Sequence, residues 1–246
     1  MLMAAVLYGL SWANDGCLQC HGPHFQAYGC IQCHRGRLGT TRKDIAHTGL
    51  VYGKASYFLL PDSPPIREGR ELIKRAGCRR CHKIGGQGEG RAANLDTSSR
   101  AKAFQALKKS LEIPVSFMPD FRFRDSQAEK LLGAVLSESR TAGPSRGYYI
   151  VHFQVKGNLP DAFSKHCGGC HRVLSKAYGP LGEGNAGPNL SGLFGEFFPN
   201  DPALGAMSQE KLKKWLKNPR SLKATAWMPP VSLSQVEFQE VYHALR

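Results

Sequence analysis

The cysteines constrain this chain more than any other residue type. All eight fall into four pairs of one spacing, each followed at once by a histidine: Cys17/Cys20/His21, Cys30/Cys33/His34, Cys78/Cys81/His82 and Cys167/Cys170/His171. No thiol is left over. Zinc does not need a histidine directly after every second cysteine, and a C-x-x-C disulfide closes too small a loop to staple a fold. The spacing suits covalent haem c: two thiols add to the two vinyl groups of the ring, and the adjacent histidine swings under it as the proximal iron ligand. The expectation is four covalently bound haem c groups held by the eight cysteines, with His21, His34, His82 and His171 as proximal ligands.

Covalent haem c implies attachment outside the cytoplasm, so an export signal is expected. Residues 1–13, MLMAAVLYGLSWA, form a short apolar run ending Ser11-Trp12-Ala13, which fits a signal peptide with a small-x-small cleavage site, although the positively charged n-region is missing. A dozen residues fall short of the roughly 20 that span a bilayer. The expected location is periplasmic or otherwise extracytoplasmic in a bacterium, with membrane-surface association left open.

At 246 residues and 41% hydrophobic content the chain is not disordered by composition. Proline and glycine clusters divide it after the signal into 14–60, 61–140, a linker at 141–159, and 160–246. The first piece has two attachment motifs and little apolar periodicity, so haem itself is expected to be its core. In the second, Asp62 or Ser63 can cap a helix with proline in its first turn and Ile66, Leu72 and Ile73 as its buried stripe, running into Cys78. A closing helix is predicted over Asp125–Ser139, with Leu131, Leu132, Val135 and Leu136 on one face. The third piece repeats the order: a short lead-in at 161–165, an attachment motif, and a last helix near 234–245. The linker stretch 148–155 reads equally as strand or tether.

Helix, attachment motif, loops, methionine, helix: this order resembles a class I cytochrome c domain, present twice. The resemblance implies a mainly α chain, with a haem-packed N-terminal diheme module followed by two small all-α class I cytochrome c domains. As a whole the chain resembles tetrahaem c-type cytochromes that join a bis-histidine multihaem module to such domains.

A low-spin carrier needs a second axial ligand on each iron. Met118 lies 36 residues after His82, and Met228 lies 57 after His171; both precede proline, resembling the Met-Pro of class I domains. Met207 is the rival for the fourth haem but lacks the proline. The first piece has no methionine, so its spare histidines must serve. His24, three residues past His21, cannot easily cross the ring that His21 holds and is assigned to the Cys30/Cys33 haem; His47 then falls to the Cys17/Cys20 haem. His152, His166 and His243 are surplus and read as surface or packing residues.

The segment GPNL at 187–190 resembles the one whose proline carbonyl accepts the proximal histidine's N–H in class I domains, which implies that Pro188 holds His171. In the second piece AANL puts Ala93 in that place. Just before GPNL, Gly182-x-Gly184-x-x-Gly187 matches a dinucleotide fingerprint, but with no strand expected before it and Pro188 after it, it reads as a haem-edge loop.

Histidine/methionine ligation raises a haem's potential over bis-histidine ligation. Electrons are therefore expected to run from the N-terminal pair toward the C-terminal haems. All eight axial positions are filled, which favours an extracytoplasmic electron-transfer protein over an enzyme, and no catalytic residue is assigned. The alternatives are a haem enzyme of the peroxidase or thiosulfate dehydrogenase kind, with one ligand absent or labile, and a fixed cytochrome subunit of a membrane quinol-oxidising complex. The net charge of +14 is spread along the chain: five cations against two anions in the first piece, sixteen against ten in the second, twelve against seven in the third together with its linker. No nucleic-acid arm stands out. Basic clusters at Lys74/Arg75/Arg79/Arg80 and Lys211/Lys213/Lys214/Lys217 fit acidic redox donors and acceptors or anionic lipid as well as they fit solvated helix faces.

Overall fold

The computed structural model describes residues 16–21, 30–51, 53–115, 117–140, 142–143, 161–199, 201–202 and 204–246. The expected signal segment 1–13, His24, the linker stretch 148–155 and His152 lie outside them. The described residues are mainly helical, with one short hairpin. In chain order the elements are α1 (Cys30–His34), α2 (Lys43–Ala46), α3 (Pro64–Ala76), α4 (Leu95–Ala101), α5 (Phe104–Glu112), α6 (Asp125–Ser139), α7 (Asp161–His166), β1 (Val173–Ser175), β2 (Gly179–Leu181), α8 (Gln209–Lys217), α9 (Pro219–Leu222) and α10 (Gln235–Leu245). Among the described residues no helix is long and apolar enough to cross a membrane.

Helix α3 starts on Pro64 and Pro65, whose fixed φ suits a first turn and whose missing N–H costs nothing there. Ser63 occupies the N-cap, but its buried hydroxyl makes no capping bond. The helix stops at Gly77 in the left-handed region (φ 64), which turns the chain straight into the first attachment cysteine of this piece. Ile66, Leu72 and Ile73 of α3 pack with Leu131, Leu132, Val135 and Leu136 of α6 and Phe104 of α5. Burying each such side chain contributes about 1.5–3 kcal/mol.

Val51, Ala55 and Phe58, which precede residue 60, belong to the same cluster. The N-terminal piece is thus anchored by ordinary side-chain packing at its C-terminal end. Arg35, just past α1, adds a polar tie: it donates to the Ser99 carbonyl at 2.6 Å and stacks on Phe58 at 5.0 Å. Burial, with Arg100 and Arg140 close by, pushes its pKa down.

The third piece closes around α10. Ser234 caps it, accepting from the Glu237 N–H at 3.3 Å, while Glu237 accepts from the Ser234 N–H at 2.9 Å. Phe238, Val241, Ala244 and Leu245 then face Ala162 and Phe163 of α7, Val173 of β1, and Leu212 and Leu216 of α8. Strands β1 and β2 pair antiparallel, Val173 opposite Leu181.

Candidate functional site

Three of the four attachment motifs adopt one local turn. The histidine N–H donates to the carbonyl of the first cysteine at 2.9 Å in each of His21→Cys17, His82→Cys78 and His171→Cys167. Such a turn brings residues three apart onto one face, so both cysteines and the histidine present themselves together. The fourth motif, Cys30 to His34, forms α1 itself.

The second and third pieces then continue in matched register. Arg79 O accepts from Glu89 N at 2.9 Å where Gly168 O accepts from Glu183 N at 3.0 Å. Cys81 O and Cys170 O accept from Ala92 N and Gly187 N, both at 2.8 Å, and Lys83 O and Arg172 O accept from Leu95 N and Leu190 N at 3.0 and 2.8 Å. Between these anchors the second piece makes a bridge of Ile84 with Gln87, and the third makes the longer β1–β2 hairpin. The matched bonds end on the histidines: His82 Nδ1 donates to Ala93 O at 2.7 Å and His171 Nδ1 donates to Pro188 O at 2.8 Å. Ala93 therefore takes the role expected of it, because a carbonyl and not a proline ring is what the imidazole needs. In the N-terminal piece His34 Nδ1 reaches Val51 O at 3.0 Å. In the rings of His82 and His171 the Nδ1–H is fixed, which leaves Nε2 as the nitrogen with a lone pair for a metal.

In the second piece Cys78, Cys81 and His82 line a cleft that Met118 also lines, with Leu111, Val115, Phe117, Phe121 and Phe123 as apolar wall. Its cavity volume is about 270 Å³, with a mouth open to solvent. Burial pushes the Cys78 thiol up to about 11, and also raises Cys81 against the pull of Arg80. Redox-active dithiols show the opposite shift, toward thiolate. Burial likewise lowers the His82 pKa, keeping the ring neutral. Two protonated thiols, a neutral imidazole and a thioether around an apolar slot can hold a flat iron macrocycle.

The third piece is more closed. His171 is buried, Cys167 is pushed up to about 11 by burial, and Met228 is half-buried with its sulfur accepting the Trp215 indole N–H at 3.1 Å. Met207 packs against the same cluster, so packing does not separate the two methionines. The fingerprint glycines belong to the attachment loop: an added Cβ would collide with the His171 carbonyl at Gly182, with the Gly169 carbonyl at Gly184, and with the His171 ring at Gly187. One expectation is corrected here. A strand, β2, does precede the fingerprint, but it is the return arm of a hairpin, and no helix follows Gly187.

At its second thiol the N-terminal piece resembles the third, where Cys170 is exposed, and differs from the second, where Cys81 is half-buried. Cys20 is assigned to haem attachment from its spacing, yet the structure leaves it exposed beside an exposed His21, with only its backbone N–H engaged, donating to Cys17 O at 3.2 Å. The buried residues Val51, Ala55 and Phe58 of this piece turn toward the α3–α6 core. Cys33 is placed by its backbone, on the last turn of α1 one residue before His34, and its side chain lies outside the described residues.

The rings of His21 and His47 lie 6.1 Å apart between centroids, tilted by 40°. Two metal–nitrogen bonds of about 2.0–2.1 Å, plus about 1.1 Å from each nitrogen to its ring centre, would set two axial imidazoles about 6.3 Å apart. His24 lies outside the described residues. Among the described residues no three His, Cys, Asp or Glu side chains converge on one metal position, whereas an axial pair needs only two. His166 donates to Glu237 at 2.9 Å and His243 packs edge-on to Tyr178 at 5.5 Å, both structural uses.

The first basic cluster is not a uniform solvated face. Arg79 pairs with Glu138, and Arg80 is buried between the second and third pieces, donating to Asn189 O at 2.7 Å and stacking on Phe198 at 5.6 Å. Arg91 is likewise buried there, bound to Glu89 at 3.1 Å and to Arg246 O at 2.7 Å. Sequence reasoning missed Arg91, Asn189 and Trp215; only the closeness of Arg91 and Asn189 to the histidine-supporting segments pointed to them. Comparisons with family models, curated proteins and solved structures returned no match.

Proposed function

We propose that the chain is an extracytoplasmic electron-transfer protein that carries four covalent haem c groups. The observation that carries this reading is the repeated unit of a C-x-x-C-H turn whose histidine gives its Nδ1–H to a backbone carbonyl. In the second piece that unit faces an apolar cleft shared with Met118. Bound haem would supply one-electron chemistry. The chain's own residues would do the rest. Cys78 and Cys81 would attach the group, His82 and Met118 would ligate its iron, and the phenylalanine wall would exclude water. Cys167, Cys170, His171 and Met228 would repeat this in the third piece, and the Trp215 N–H favours Met228 over Met207. The spacing of His21 and His47 supports a bis-histidine pair on the haem of Cys17 and Cys20, whose exposed edge at Cys20 would face solvent. His24 is assigned to the haem of Cys30 and Cys33. On this reading the donor and acceptor are redox proteins, among which a membrane quinol-oxidising complex fits. Intact mass and a pyridine haemochrome assay of protein matured in an exporting host test it: four haems per chain are expected, and two or fewer overturn it.

A further inference from the structure

The segment 188–191 serves two pieces of the chain at once. Pro188 supports His171 through its carbonyl, while the residues after it reach across the interface. Asn189 Nδ2 donates to the carbonyl of Phe117 at 3.1 Å, the residue before Met118. The Asn189 carbonyl accepts from Arg80 at 2.7 Å, the residue before Cys81. The fully buried Ser191 donates its hydroxyl to Asn189 Oδ1 at 2.6 Å and accepts from the Leu174 N–H at 2.7 Å, which fixes the Asn189 side chain. In the second piece the equivalent asparagine, Asn94, accepts from the Asp96 N–H at 2.9 Å and so starts α4. Asn189 makes the same local turn, accepting from the Ser191 N–H at 3.0 Å, yet starts no helix and spends its amide on the neighbouring piece.

We infer that segment 188–191 is the electron bridge between the His82 and His171 centres, with Asn189 the positioning residue that clasps it to both walls of the cleft. The inference rests on the haem reading above. From Met118 to His171 the route is the covalent link to Phe117, one hydrogen bond from the Asn189 amide to the Phe117 carbonyl, the covalent chain back to Pro188, and one hydrogen bond to the imidazole. Ser191 and Arg80 are buried, so water does not compete for these contacts and the low dielectric strengthens them. Haem held by His82 and Met118 would give up one electron and haem held by His171 would take it up, one being oxidised as the other is reduced. Each hydrogen bond keeps its proton throughout. Phe117, held at its carbonyl, also keeps the Met118 loop closed on the donor side.

The test is flash photoreduction of the full-length four-haem protein, following exchange between the two histidine/methionine centres in wild type, Asn189→Ala and Ser191→Ala. Losing one neutral hydrogen bond shifts a docked population by about two- to tenfold. Each variant is expected to slow exchange by about that factor while haem count and both equilibrium potentials stay at wild-type values, a pattern that a merely structural role would not give. Wild-type exchange rates in both variants, with all haems attached and both methionine–iron bands present, overturn the bridge. Absence of haem from the wild-type chain overturns the underlying reading instead, and shows in the mass before any kinetics.

Discussion

The second and third pieces share an attachment turn, a register of hydrogen bonds and a histidine support, but they enclose the site differently. The second packs its core between α3 and α6 and leaves an open apolar cleft beside Cys78, Cys81 and His82. The third buries His171 against Gly187 and ties Met228 to Trp215. The local turn is set by residues close in sequence and is therefore shared; the walls come from distant residues, and those differ. An apolar cleft of that size is costly to leave exposed, so the second piece should depend more on whatever fills it.

The largest expected effect breaks the comparison at this point. Cys78→Ala or Cys81→Ala should remove one haem and destabilise the second piece, since the apolar wall of its cleft is then left bare beside the α3–α6 core. Cys167→Ala or Cys170→Ala should also remove one haem but leave more helix. Intact mass with circular dichroism reads both. Equal helix loss in the two pairs would show that the two pieces do not differ in this dependence.

Next comes Gly187. Its equivalent in the second piece is Ala92, where a Cβ is already accommodated; at Gly187 a Cβ would run into the His171 ring. Gly187→Ala should destabilise the third piece by about 1–3 kcal/mol through overpacking, and Ala92→Gly the second by only about 0.5–1 kcal/mol. Urea unfolding of the two variants compares them directly.

A smaller contrast lies at the sulfurs. Met118→His and Met228→His should each lower the potential of one haem and remove part of the methionine–iron absorption of the oxidised protein. Trp215→Phe should shift that absorption for the Met228 haem alone, because among the described residues no donor reaches Met118 Sδ. A spectroelectrochemical titration follows both. If Met207→His, and not Met228→His, changes the band, Met207 is the fourth haem's ligand.

The smallest effect is acid dependence of the closing helices. In α10 Glu237 accepts from the Ser234 N–H and from His166, and these bonds pull its pKa down to about 2. The uncharged Gln127 takes the same place in α6, accepting from the Arg124 N–H at 3.0 Å. A carboxylate with a depressed folded pKa stabilises above its ordinary value near 4.5, and that contribution is lost as pH falls from there toward 2. The third piece should therefore loosen across that window through this cap, and Glu237→Gln should flatten the loss. Far-ultraviolet dichroism against pH measures it. An unchanged acid profile in Glu237→Gln would remove this difference between the two pieces.

Much of the fold and of the candidate site was legible in the sequence. Prolines, glycines and the 3.6-residue stripe place α3, α6 and α10 within a residue or two of where they lie, because capping and helical periodicity are local properties. The C-x-x-C-H spacing determines the attachment turn for the same reason, and the support of His82 and His171 followed from segments a short way downstream. Spacing did not determine what stands over each thiol: the same motif leaves Cys20 exposed and lines a cleft with Cys81. The β1–β2 hairpin carries no strong strand pattern in three-residue arms, and its existence depends on the matched bonds at either end. Tertiary structure alone decided that Arg80 is buried and not a surface cation, that His47 stands 6.1 Å from His21, and that Asn189 reaches Phe117 across 72 residues of chain. Those contacts join residues far apart in sequence, and neither residue type nor spacing encodes which distant backbone carbonyl a side-chain N–H will meet once two pieces are packed together.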